Sequence, residues 1–366
     1  MRYFFSTGEQ SGELSATLLA GEIAKHDPTA SFEGIGAERM QRFGFQLWAD
    51  NRGWGSITPI SVLAKVPRIY AVWLRTLRRL LNDAPERIVL VDFGAFNLRL
   101  SKALRKRNYR GSIIYYFPPG AWFDKPHQAR TVAQTTIAVP AFAHQYEFFR
   151  ELGLQAHYFG HPLASKYQLR EARRAPSKDG GIVALLPGSR AAELQMHVPL
   201  LLESLRNLRA RRPNLKAHAV AADDAAERFL AKAFRAKNED IEVVRDTQDA
   251  LLAVDAALIA SGTAVLEAAL LGVPAVVFYR MTPFAIRLVR QGYRGRFMAL
   301  SNLIAGREIV PEFAQERAQP DTLASAVDDV LNDPQPQYLA LRELRDRIGT
   351  SDSLPRIADF VMAGRG

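Results

Sequence analysis

The chain has no cysteine. That absence removes disulfides, thiolate metal ligands and a cysteine nucleophile together, and it suits a reducing compartment. No run of about eighteen uncharged apolar residues occurs, so no membrane-spanning helix is expected. The first residues, Met1-Arg2-Tyr3-Phe4-Phe5-Ser6-Thr7-Gly8, lack the long apolar stretch and cleavage site of a secretory signal, and a cytoplasmic location is the expectation. A Cys/His finger, an RNP-like aromatic strand and a separate basic helix are all missing, which argues against a nucleic-acid partner. Neither G-x-G-x-x-G nor G-x-x-x-x-G-K-S/T is found, so neither a nicotinamide enzyme nor a phosphate-loop NTPase is indicated. No spaced ligand cluster suggests a metal, and no cofactor is expected.

What remains is a chain of 366 residues, 48% hydrophobic, too long for one small core and too apolar for disorder. Two compact domains are the natural arrangement. A net charge of +10 calls for something anionic nearby, either a phosphorylated substrate or an acidic bilayer face.

Short β-branched or aromatic runs alternate with amphipathic stretches, the mark of repeated βα units with parallel strands, so the class is α/β. The first half reads as strands at Arg2 to Ser6, Ser31 to Ile35, Arg87 to Asp92, Ser112 to Phe117, Thr135 to Val139 and His157 to Phe159. After a polar, proline-punctuated linker from His161 to Asp179, a second series runs Gly181 to Leu186, Lys216 to Val220, Ile241 to Val244, Ala256 to Ile259 and Ala275 to Phe278. Beyond Gln319 the pattern is helical. The expected domains are 1–163, with a helix at about 349–366 packing back on it, and 164–348. Each would be a doubly wound sheet with its ligand loops at the carboxyl ends of the strands, facing a shared cleft.

Four loops carry chemistry. Leu186-Pro187-Gly188-Ser189-Arg190 joins a strand to a helix, where glycine, helix-terminal N–H groups and a guanidinium make either a diphosphate cradle or an ordinary strand-to-helix turn with Arg190 in a surface ion pair. Ser261-Gly262-Thr263 opens another helix, with Glu267 placed to accept ribose hydroxyls; favourable charge near a helix start is its plainer role. Thr7 to Glu13 supplies glycines and polar side chains after the first strand, including Glu9, Ser11, Gly12 and Glu13. Asp92 ends an apolar strand, the position for a general base, with capping of the next helix as the alternative. Trp122 either lines an acceptor pocket or fills a loop core. His161 is the best placed of seven histidines, and a structural role suits a lone histidine.

Ile60 to Leu81 differs in kind. Tyr70, Trp73, Leu74 and Leu77 repeat at helical spacing among Arg68, Arg75, Arg78 and Arg79, which describes either a basic helix lying in an anionic membrane surface or one packed on its own domain.

These pieces, in order and at similar intervals over nearly the whole chain, resemble the lipid-A-disaccharide synthase family. The stretches that carry the resemblance include Gly8 to Glu13, Gly34 to Met40, Asp92 to Leu98, Gly160 to Leu163, Leu186 to Arg190, Ser261 to Glu267, Tyr279-Arg280 and Ser301 to Glu308. The resemblance implies a GT-B fold and an inverting, metal-independent transferase, peripheral to the inner face of the cytoplasmic membrane. It joins UDP-2,3-diacylglucosamine to 2,3-diacylglucosamine 1-phosphate, with a homodimer expected. It also implies Asp92 as base and Gly188, Ser189, Arg190, Ser261, Gly262, Thr263, Glu267 and Asn302 as the UDP-holding positions. Glu9, Ser11, Gly12, Glu13, Asn97 and Trp122 would then serve the acceptor, and Tyr70, Trp73, Leu74, Leu77, Arg75 and Arg78 the membrane. Departures concentrate in the first domain: Gly12-Glu13 where the family has Gly-Asp, Asp92-Phe93-Gly94-Ala95-Phe96-Asn97 where it has Asp-x-Pro-x-Phe-Asn, and Pro118 to Asp124 in place of Ser-Pro-x-Val-Trp-Ala-Trp. Other functions compatible with these residues are a relative with a different acceptor, a UDP-sugar epimerase, and a nucleotide-sugar-binding membrane protein without turnover.

Overall fold

The computed structural model describes residues 1–54, 59–119, 125–282, 286 and 296–364, the side chains of 59–65 excepted. The chain divides into two compact units, Met1–Lys166 with Ile348–Gly366, and Tyr167–Arg347.

Unit 1 contains β1 (Arg2–Ser6), α1 (Gln10–His26), β2 (Ser31–Gly36), α2 (Glu38–Phe43), β3 (Gln46–Asp50), α3 (Pro59–Asn82), β4 (Arg87–Val91), α4 (Gly94–Lys106), β5 (Ser112–Tyr116), α5 (Pro126–Thr135), β6 (Ile137–Val139), α6 (Ala143–Glu151) and α7 (Leu163–Lys166). Its strands pair in the order β3-β2-β1-β4-β5-β6, every pairing parallel. Parallel strands inside a sheet are covered on both faces, which is why the central runs β1, β4 and β5 are largely apolar. The two-residue period still sorts them. Tyr3, Phe5, Val89 and Val91 pack with α1 and the C-terminal helix Ser353–Ala363, while Phe4, Ile88 and Leu90 pack with α3 and α4. The C-terminal helix buries Leu354, Ile357, Ala358 and Val361, the spacing of one helical face. Arg87, at the start of β4, donates to the Val361 and Met362 carbonyls at 3.1 and 2.8 Å and so holds the end of that helix.

Unit 2 contains β7 (Ile182–Leu186), α8 (Ala191–Arg211), β8 (Lys216–Val220), α9 (Asp224–Ala236), β9 (Glu242–Val244), α10 (Thr247–Leu252), β10 (Ala256–Ala260), α11 (Thr263–Leu271), β11 (Ala275–Tyr279) and β12 (Glu312–Ala314), with helices at Leu300–Ala305, Pro320–Asn332 and Gln335–Ile348. The order β12-β11-β10-β7-β8-β9 is the order of unit 1, counted from each unit's own first strand. Strands β10 and β11 are buried along their full length. Asp223 and Asp246 start α9 and α10 by accepting amide N–H bonds of 2.8 Å. Arg212 is 1% exposed; its guanidinium is satisfied by Asp328, Asn332 and the Ser177 and Gly180 carbonyls, as a buried cation must be.

Three features differ from the expectation. His157 to Phe159 is not a strand. It runs beside β6 with the bond from His157 N to Ala138 O, and its rings pack on Phe360 instead. Strands β3 and β12 were not expected: β3 is half-buried over most of its length and shows no clear alternation, and β12 has only three residues. The linker contains α7, and its Arg170 and Arg173 donate to the Leu251, Leu252, Ala253 and Val254 carbonyls at and just beyond the end of α10.

Candidate active site

In both units the chemistry-bearing residues lie where parallel strands end and helices begin, the ligand edge of a doubly wound sheet. The two edges are built differently.

In unit 1, Asp92 follows β4 and is exposed. Asp92 and Phe93 have φ of 48° and 49°, and Phe117, after β5, has 56°. Non-glycine residues seldom adopt this left-handed conformation, and it persists only where surroundings enforce it. The enforcement is visible. Asp92 N–H donates to the Tyr116 carbonyl at 3.1 Å, and its own carbonyl accepts from Tyr115 Oη at 2.8 Å and Asn97 Nδ2 at 3.0 Å. The Phe93 ring packs over Gly8, where a Cβ would lie 2.2 Å from Cγ of the ring. The backbone that carries the Asp92 carboxylate is therefore fixed on three sides.

Asn97 is fully buried. Its Oδ1 accepts from Ser6 Oγ at 2.6 Å, and its Nδ2 faces the Ser6, Val91 and Asp92 carbonyls. It ties the ends of β1 and β4 together and holds the Asp92 carbonyl. Glu13 is also interior. It accepts from Met40 N–H at 3.4 Å at the start of α2, favourable for a carboxylate. Burial pushes its carboxyl above the usual range, opposed by the amides of Ala37, Met40 and Arg39. The extra methylene relative to aspartate gives it the reach to cap a neighbouring helix. Gly12 is buried in the first turn of α1, while Glu9 and Ser11 at the same turn are half-exposed. Trp122 lies outside the described residues.

In unit 2, Gly188 has φ of 105°, a value that favours glycine. The turn it makes presents the N–H groups of Ser189 and Arg190 to one point. Glu193, in the first turn of α8, occupies that point: its Oε2 accepts from both amides at 3.0 and 3.1 Å. Its Oε1 accepts from the Arg190 guanidinium at 3.0 Å and from Tyr279 Oη at 2.7 Å. Four donors thus converge on one carboxylate, in a cradle that Glu193 itself fills as part of a capping box. Burial, then the charge of Glu193, pushes the Tyr279 hydroxyl up. His197, fully buried, spans the back of the cradle between the Pro187 and Arg280 carbonyls at 2.7 and 3.1 Å.

Ser261, Gly262 and Thr263 lie at the start of α11, and Ser261 Oγ donates to the Met298 carbonyl at 2.9 Å. Asn302 is buried. Its Oδ1 accepts from the Ile309 and Val310 amides, and its Nδ2 donates to the Val310 carbonyl and Glu312. Glu312 in turn receives the Met298 and Ala299 amides. Asn302 thus fixes the segment that Ser261 touches. Glu267, 8% exposed, accepts from the hydroxyl of Tyr167.

Helix α3 divides its stripe. Leu77, 3% exposed, joins Val72 and Leu80 in the core, because those positions share the face toward the sheet; this corrects its expected place at a membrane. Tyr70 is 58% exposed and stacks on the half-buried Trp73 at 6.0 Å between ring centroids. Leu74 is half-buried, and Arg75 and Arg78 are exposed. Arg79, also exposed, lies over the Trp48 ring and reaches toward Glu33. Among the described residues no helix is long and apolar enough to cross a membrane.

Glu193 and Tyr167 were not anticipated, and Tyr279 entered only as part of a stretch that carries the resemblance, without a role in the site. Glu193 had a local signal, the three-residue offset of a capping box after Arg190. Tyr167 had none, since its partner is a hundred residues away.

A family model described as Lipid-A-disaccharide synthetase matches residues 3–351. A lipid-A-disaccharide synthase of Geobacter sulfurreducens is 28% identical over 99% of this chain and 96% of its own length. Among solved structures, the UDP-GlcNAc 2-epimerase of Methanocaldococcus jannaschii superimposes with a TM-score of 0.63 at 11% identity, over 99% of this chain and 100% of that one. A calicheamicin glycosyltransferase superimposes at 0.54 and 14% identity, over 99% and 97%. Those likenesses show the fold, two doubly wound sheets of GT-B type. With the family model matched from the first strand to the start of the C-terminal helix, the chain belongs to the lipid-A-disaccharide synthase family of glycosyltransferases.

Proposed function

We propose that this enzyme joins UDP-2,3-diacylglucosamine to 2,3-diacylglucosamine 1-phosphate, forming the disaccharide 1-phosphate and UDP. The observation that carries the donor half of this reading is the convergence of the Ser189 and Arg190 amides with the Arg190 guanidinium at the start of α8. Such donors suit a diphosphate as well as they suit Glu193, and they stabilise the charge that develops on it as the bond to the sugar breaks. Gly188 lets the backbone make the turn, the α11 start at Ser261 to Thr263 adds hydroxyls, and Glu267 receives the ribose. Asn302 acts at one remove, by fixing the 298–312 segment.

In unit 1, Asp92 accepts the proton of the acceptor's 6-hydroxyl as its oxygen attacks the anomeric carbon. The carbon–oxygen bond to UDP breaks on the opposite side, which inverts that carbon. One carboxylate suffices, since UDP leaves as an anion without needing a proton. The backbone clamp around Asp92 supports this role, because a base must be aimed before it is useful. Glu9, Ser11 and Gly12 lie at the neighbouring strand end and serve the acceptor; Glu13 and Asn97 support that edge from inside. Tyr70, Trp73, Leu74, Arg75 and Arg78 of α3 form a basic, aromatic surface for an anionic bilayer, which brings the enzyme to its acylated substrates.

Purified protein given both substrates is expected to yield a tetraacylated disaccharide phosphate by mass spectrometry, with stoichiometric UDP. UDP bound tightly but no product would leave the donor reading standing and move the acceptor to another molecule.

A further inference from the structure

Tyr167 is the first residue of unit 2, yet only 1% exposed. The short segment it begins is fastened to α11 at several points. Its own carbonyl accepts from the Arg345 guanidinium, which also donates to the Leu270 carbonyl at 2.7 Å. Three residues on, Arg170 N–H donates to the Leu271 carbonyl at 3.1 Å, and Tyr338 Oη donates to the Arg170 carbonyl at 2.9 Å. A Cβ on Gly272 would come within 2.7 Å of Leu169, so the segment lies directly on the end of that helix. The result of this fastening is that one hydroxyl, that of Tyr167, reaches back along α11 to the Glu267 carboxylate.

We infer that Tyr167 is a positioning residue for donor recognition: it fixes the plane of the Glu267 carboxylate so that Glu267 meets the two hydroxyls of the nucleotide's ribose. The inference rests on the assignment of Glu267 to the ribose. The physical reason is that a carboxylate turns easily about its last bond, whereas a diol is bound well only by acceptors already aimed at it. A donor that locks one carboxylate oxygen therefore sets the direction of the other. Arg345, by holding the Tyr167 backbone to the same helix that carries Glu267, keeps the distance between hydroxyl and carboxylate constant.

The test is calorimetric titration of the full-length protein with UDP and with 2′,3′-dideoxy-UDP, for the wild type, Glu267→Gln and Tyr167→Phe. The wild type is expected to prefer UDP by about tenfold or more, the effect of charge-assisted hydrogen bonds to a sugar. Glu267→Gln is expected to abolish that preference. Tyr167→Phe is expected to reduce it about three- to tenfold by weakening UDP, with dideoxy-UDP binding as before. The preference is a ratio within each variant, so a smaller folded fraction cancels. If Glu267→Gln flattens the ratio and Tyr167→Phe leaves it at the wild-type value, or weakens both ligands equally, Tyr167 is only a packing residue and the inference falls while the ribose assignment stands. If Glu267→Gln keeps the full preference, the ribose assignment itself fails and the inference with it.

Discussion

The two units share one strand order, and within each sheet the strands pair in parallel, yet they build their ligand edges from opposite materials. In unit 1 the edge is made of side chains turned inward: Asn97 buried between two strand ends, Glu13 capping α2, and non-glycine residues held at positive φ. In unit 2 it is made of backbone amides turned to one point by a glycine, with the charged side chains of Arg190 and Glu193 gathered around them. Topology thus decides where a ligand loop falls, and the local residues decide what it does. An edge that aims a base needs rigidity around one carboxylate. One that holds a diphosphate needs N–H groups and positive charge.

This contrast is best broken by comparing one variant from each edge. Asp92→Ala is expected to lower kcat by about a hundred- to ten-thousandfold and to leave UDP binding unchanged in titration. Arg190→Ala is expected to weaken UDP by about ten- to a hundredfold. A UDP affinity lost in the first variant, or kept in the second, would mean that the two edges do not divide the work.

A smaller effect sharpens the same comparison through pH. His161 is 3% exposed, between the rings of Phe117 and Phe142, and burial lowers its pKa to about 3. The unfolded chain takes up that proton near pH 6.5. Between these values the unfolded state binds more protons, so stability is full above pH 6.5 and falls as pH drops, by up to roughly 1.4 kcal/mol per pH unit. Urea midpoints from pH 4 to 7 are expected to show a shallower decline in His161→Gln than in the wild type. An unchanged slope would mean that His161 takes up its proton at the same pH in the folded and the unfolded protein.

The smallest stability change is expected on α3. Tyr70→Ser, at an exposed position, should alter stability by no more than about 0.5 kcal/mol while reducing flotation with anionic liposomes, and added salt should reduce it further. Flotation that ignores both would leave α3 as an ordinary packed helix.

The fold class was legible because buried parallel strands are apolar runs whose spacing from helices is regular. Two edge strands escaped: Gln46–Asp50 is half-buried without an apolar alternation, and Glu312–Ala314 has only three residues. Among site residues, the positions of Gly188, Ser189 and Arg190 followed from a turn between strand and helix, since a glycine before a helix start has a local meaning. The direction in which Asn97 and Glu13 point did not. Each lies on a helix pattern where an inward and an outward polar residue look alike, and the partners that draw them inward, Ser6 and Met40, are 91 and 27 residues away.

The C-terminal helix has a consequence for how the molecule comes into being. Leu354, Ile357, Ala358 and Val361 complete a core whose other members precede Lys166. On the ribosome the whole of unit 2 emerges before that core can close. The half of the enzyme made first is therefore the half finished last, and its apolar α1 face must wait, exposed or covered by a chaperone, for the end of the chain to reach it.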